Sequence, residues 1–307
     1  MAAQAQETAL LLQELYALVE GQSVVAAAAL VVHGVFLLLF VLALYFLAHN
    51  HARGQRVLLF AAILLAGFAI VQVALDVALA GLPATALRRI LKEGMTRDVM
   101  SLMEAFASMY RMRQGTLATN NAIADGLLLY RCYLIWAGSR YERFIIAVPS
   151  ILIIITAAIA YATIYRTWDI RIPFGLALFT NLILFGLIAF RIWYKRRQAG
   201  VYLKQNAQVQ RRYTASLEIL LESGLLYVAA VLIYLISMSS GKVVPPFNTF
   251  QNICWGSLAQ LVNIVPTLIL VRVALVKRAA SDAAAEKEGG SVAEWKQMRS
   301  QGAQESV

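Results

Sequence analysis

Two carboxylates stand inside stretches of chain that are otherwise almost wholly apolar. Asp76, with Gln72, lies toward one end of the second such stretch, and Asp125, after Asn120 and Asn121, lies in the corresponding half of the third. An acid in hydrocarbon is costly, so such residues mark ligand, ion or proton sites far more often than they mark packing. Asp76 falls four residues from Ala80 and Asp125 five from Asn120, toward the same end of their stretches, which gives them similar depth. Asp76, Gln72, Asp125 and Asn121 are therefore expected to line a polar cavity for an unknown small ligand. The competing reading makes Asp76 and Asp125 the proton- or cation-coupled site of a transporter or channel.

A second group of polar residues suits a switch. Arg131 comes six residues before the end of the third stretch, and Glu222 six residues after the start of the sixth, so both lie about 9 Å deep from the opposite face. Glu218 and Glu222 are spaced i, i+4 and share a helical face, which allows Arg131 to clasp either acid. In the seventh stretch Pro266 removes a backbone hydrogen bond in mid-span, and Asn263, one turn earlier, can help satisfy the freed groups. Lys195, Arg196, Arg197, Arg211 and Arg212 form a basic segment between the fifth and sixth stretches, a docking surface for a cytosolic partner or plain topological anchoring.

Catalytic chemistry finds little to work with. Of three histidines, His33, His49 and His51, only His33 falls inside a stretch, where it reads as a packed polar residue. Cys132 and Cys254 lie at opposite depths and cannot form a disulfide, and no zinc spacing exists. A retinal Schiff base needs a lysine within the bundle, but Lys242 and Lys277 lie in a loop and at a boundary. The expectation is a protein that is not an enzyme, with no catalytic residues, no metal site and no cofactor.

The elements that must hold these residues follow from hydropathy. A hydrocarbon core of about 30 Å needs about 20 apolar residues at helical rise. Seven runs qualify: residues 24–48, 57–80, 117–137, 144–165, 173–194, 216–238 and 250–276. In a chain of 307 residues that is 60% hydrophobic, they predict an all-α, seven-transmembrane helical bundle across 24–276. Residues 1–23 are expected as a short extracellular tail, without the basic leader of a cleaved signal, and 277–307 as a disordered cytosolic tail.

Lys and Arg give the orientation. The 51–56 loop, the third-to-fourth loop, the fifth-to-sixth segment and the C-terminal tail together hold 17 of the 27, and the opposite side holds 9. The N-terminus is thus expected outside and the C-terminus in the cytosol, in the plasma membrane. The long 81–116 loop opposes this trend with six basic residues, offset by Glu93, Asp98 and Glu104. Its apolar positions from Leu87 to Met112 are largely at helical spacing, which predicts an amphipathic helix lying on the outer leaflet or capping the bundle. The net charge of +10 lies beside the spans, where it serves anionic lipid headgroups and orientation; nucleic acid is not an expected partner.

The run from Asn120 to Trp136, Asn-Asn-Ala-Ile-Ala-Asp-Gly-Leu-Leu-Leu-Tyr-Arg-Cys-Tyr-Leu-Ile-Trp, resembles the third-helix signature of orphan seven-helix membrane proteins abundant in mushroom-forming fungi. Ala189–Trp193, Glu222–Tyr227 and Val265–Arg272 fit the same resemblance. It implies an integral, receptor-like membrane protein and carries no ligand or reaction. Similarity to rhodopsin-like G-protein-coupled receptors is weaker: Ser139-Arg140-Tyr141 lacks the acid of their Asp-Arg-Tyr motif, and the seventh stretch has no Asn-Pro-x-x-Tyr. A ligand-sensing, receptor-like protein signalling to a cytosolic partner such as a G protein is the functional expectation.

Overall fold

The computed structural model describes residues 2–48, 55–166, 169–202, 224–239, 249–272 and 275. These form α1 (Ala2–Ala48), α2 (Gln55–Glu93), α3 (Arg97–Trp136), α4 (Glu142–Tyr165) and α5 (Arg171–Tyr202), followed by α6 (Gly224–Ser239) and α7 (Thr249–Arg272). The protein is all-helical over the described residues. Five of its helices, over Ala9–Phe46, Leu59–Glu93, Glu142–Tyr165, Arg171–Arg191 and Thr249–Arg272, are long and apolar enough to cross a membrane.

The other two fall short of that criterion for different reasons. Helix α6 is apolar but short over its described part. Helix α3 carries Arg113, Asn120, Asn121, Asp125 and Arg131, and it packs against α2, α4 and α5. A helix screened on several sides by protein can hold polar groups that a lipid-facing helix cannot.

The core joins faces of α3, α5, α6 and α7 with Val25 of α1 and Leu65 of α2, and Cys132, Leu184, Ile188, Val231, Leu258 and Ile269 are among its most buried members. Helix α4 stands at the periphery, burying Pro149 and Thr156 and turning Ile151, Ile154 and Phe144 outward. Exposed apolar side chains on this scale suit a hydrocarbon surround.

The 81–116 segment departs from the expected cap or interfacial helix. Helix α2 runs on to Glu93, and α3 already begins at Arg97, so the two form a hairpin that projects beyond the predicted spans. Gly94 makes the turn with φ 77°, and its N–H donates to the Ile90 carbonyl at 3.0 Å. That left-handed backbone would strain any residue with a β-carbon. Residues 2–23, expected as a tail, likewise continue α1. Where a helix leaves the hydrocarbon, hydropathy drops although the backbone need not change, so the sequence marked the apolar boundary rather than the helix end.

Helices α1 and α7 approach closely. A β-carbon on Gly256 would collide with the backbone carbonyl of Val25, and one on Gly224 would fall 2.6 Å from the Phe185 ring. Below the first contact, Nδ1 of His33 and Oε1 of Gln260 lie 3.1 Å apart in a buried hydrogen bond. Helix α7 continues through Pro266. Asn263 turns its amide back to the Ala259 carbonyl at 3.4 Å, and Thr267 donates to the Asn263 carbonyl at 2.8 Å. The hydroxyl, which sequence reading did not single out, thus bonds a carbonyl beside the proline.

Candidate functional site: two buried acids in different surroundings around helix α3

Helix α3 divides the polar interior. Its stripe Arg113, Leu117, Asn120, Ala124 and Leu127 repeats at helical spacing and is buried. The adjoining positions Gln114, Ala118, Asn121, Ala122 and Asp125, together with Leu117 of the stripe, line a cavity. The two expected acids consequently belong to different environments.

Asp76 on α2 meets Arg113. Nε of Arg113 is 3.0 Å from Oδ1 of Asp76, with both side chains 2% exposed or less. The contact lies off the N–H axis, so charge rather than a directional hydrogen bond holds it. Nη1 of Arg113 also donates to Oε1 of Gln22 on α1 at 3.1 Å. The guanidinium stands 5.1 Å from the centre of the Trp255 ring on α7 and 5.6 Å from that of Tyr110. One arginine thereby ties four helices at the hairpin end of the bundle. Its solvation by a carboxylate, an amide and two aromatic faces is what makes so deep a cation tolerable.

Gln72 is also 1% exposed, one turn from Asp76 on α2. Its amide finds no hydrogen-bond partner among the described residues, and neither does that of Asn120, two turns from Arg113 on α3. Asp76 and Gln72 are absent from the cavity lining, so the expected single polar cavity with all four residues is not what the fold builds.

Asp125 has different surroundings. Asn121 donates to its Oδ2 at 3.0 Å and Asn181 of α5 to its Oδ1 at 3.1 Å. Tyr227 of α6 donates to Oδ1 of Asn121 at 3.0 Å. Asn181 is itself fixed by donating to the Ala177 carbonyl at 3.0 Å. Helices α3, α5 and α6 therefore orient one carboxylate through three neutral side chains.

The cavity beside Asp125 measures about 60 Å³ and is bounded by α3, α4, α5, α6 and α7. That exceeds the roughly 10–15 Å³ of such space that a single water needs. Small residues, Ala118, Ala122, Ala157, Ala160 and Ala177, leave the space, and Phe174 closes part of it. Tyr161 of α4 hydrogen-bonds Thr119 of α3 at 2.5 Å, and the Thr156 and Thr180 hydroxyls are 3.5 Å apart between α4 and α5. Phe174 packs edge-on against Tyr234 at 5.2 Å and Trp255 at 5.6 Å. Since Trp255 also faces Arg113, the cavity wall touches the ion-pair site.

At the opposite end Arg131 is half-buried on α3, while its expected partners Glu218 and Glu222 lie outside the described residues. A different cation meets an aromatic there: the Arg191 guanidinium is 4.7 Å from the Trp136 ring, and Trp136 donates to the Leu187 carbonyl at 3.2 Å. Ser139, Arg140 and Tyr141 lie in the α3–α4 turn, after α3 has ended. Of the basic docking segment, Lys195, Arg196 and Arg197 fall on α5, where Arg197 stands over Trp193 at 5.6 Å. Arg211 and Arg212 lie outside the described residues.

Gln22, Arg113, Tyr227 and Gln260 are the site residues to which sequence reading gave no site role. Comparison with protein-family models, curated proteins and solved structures returns no match.

Proposed function

We propose that the protein is a seven-span, receptor-like integral membrane protein of the plasma membrane, with its N-terminus outside, that takes a small ligand in the Asp125 cavity. The observation that carries this reading is the cavity itself: an oriented carboxylate beside about 60 Å³ of space in the half of the bundle nearer the α2–α3 hairpin. The Lys/Arg asymmetry supports assigning that half to the outside. Ligand contacts with α3, α5, α6 and α7 would bias their relative positions, which is the differential contact a receptor needs. The basic end of α5 supplies a surface for a cytosolic partner, with a G protein as the one to test.

A transporter is the second reading, favoured by the buried, unpartnered amides of Gln72 and Asn120 near the Asp76–Arg113 pair. Reconstitution separates the two. With protein in vesicles and a G protein on the α5 basic side, small solutes added to the other side are expected to accelerate nucleotide exchange without accumulating inside. Solute accumulation without exchange would contradict the receptor reading.

A further inference from the structure

The two buried acids are compensated differently. Asp76 has Arg113 within 3.0 Å, whereas Asp125 is held only by the neutral groups of Asn121 and Asn181, with no cationic side chain in contact among the described residues. It is 2% exposed, so little of the carboxylate itself meets solvent and its charge is weakly screened. Two amide donors leave a carboxylate with acceptor capacity to spare, since its oxygens offer about four lone-pair sites. The rest of the lining is largely apolar, with five alanines and Leu117, Ile153, Phe174 and Val262, beside the polar side chains of Gln114, Thr156, Thr163 and Tyr227. Such a site has the chemistry to complement a positive head carrying N–H donors and a short hydrocarbon body.

Resting on the ligand-binding reading of this cavity, we propose that its ligand class is the small organic ammonium, with Asp125 as counter-ion and Asn121 and Asn181 as positioning residues. The ammonium supplies to Asp125 what Arg113 supplies to Asp76. An anion would face the carboxylate, and a neutral alcohol would leave the charge uncompensated.

Purified full-length protein in detergent is titrated with n-propylammonium, n-propanol and propionate while its thermal midpoint is followed. The wild type, Asp125→Asn and Ala157→Leu are compared. Saturable stabilisation by n-propylammonium is expected, with an apparent affinity about tenfold or more above that of n-propanol, as for a charge-assisted hydrogen bond. Propionate should give none. Asp125→Asn should erase the preference for the cation, and Ala157→Leu, which fills the cavity, should weaken binding of both. Equal stabilisation of the wild type by propanol, or undiminished propylammonium binding in Asp125→Asn, overturns the ammonium assignment; the cavity reading survives that result if Ala157→Leu abolishes binding. Should none of the probes bind, or should Ala157→Leu change nothing, the assignment falls together with the cavity as their site. The wild-type comparison alone decides the charge question if Asp125→Asn fails to fold.

Discussion

Replacing Arg113 by alanine is expected to lower stability in detergent by about 3–5 kcal/mol, the usual cost of leaving the partner of a buried ion pair uncompensated. Asp76 would then keep its position on α2 with no other cation in contact among the described residues, and α1 and α7 would lose the guanidinium that touches Gln22 and Trp255. Asp76→Ala should cost a similar amount by stranding the arginine. The double substitution is expected to cost clearly less than the sum of the two, because neither charge remains to be stranded. Strictly additive losses would show that the pair does not act as a unit.

Asn181→Leu is expected to cost about 1–3 kcal/mol, since it deprives a buried carboxylate oxygen of its inter-helix donor. Tyr227→Phe, which removes only the donor to Asn121, should cost about 1 kcal/mol. Both act on one network running from α6 through Asn121 to Asp125 and α5, so their effects should be non-additive. Thermal midpoints of the two single variants and the double variant measure this. Independent, additive effects would remove the network as a device that orients Asp125.

The helical class and most helix positions were legible because apolar run length is a direct consequence of bilayer thickness. Helix ends were not, because α1, α2 and α3 continue into polar sequence at no cost to their backbone hydrogen bonds. Asp125 could be singled out by the cost of an acid among apolar residues. Its donor Asn181 could not be paired with it, because which helices become neighbours depends on packing between distant segments. Arg113 was counted as a loop residue because hydropathy placed it before the span. A signal for it existed nonetheless: it falls four residues before Leu117 and seven before Asn120, on the stripe that α3 buries. Asp76 and Asp125 have similar sequence depth, yet one meets Arg113 and the other lines the cavity, and depth alone carries no azimuth.

The central proposal is that the Asp125 cavity lies in the outward half of a membrane-embedded bundle and is reached from that side. It is tested most directly by placing a cysteine at Ala157, on the cavity wall, in a protein whose half-buried Cys254 is replaced by alanine and whose Cys132 stays buried. Intact cells are treated with a cationic, membrane-impermeant thiol reagent, and labelling is read after purification. Ala157→Cys is predicted to be labelled in intact cells, while a cysteine at Ile154 on the outward face of α4 stays unreactive. Labelling of Ala157→Cys only after permeabilisation or only after unfolding would contradict the account.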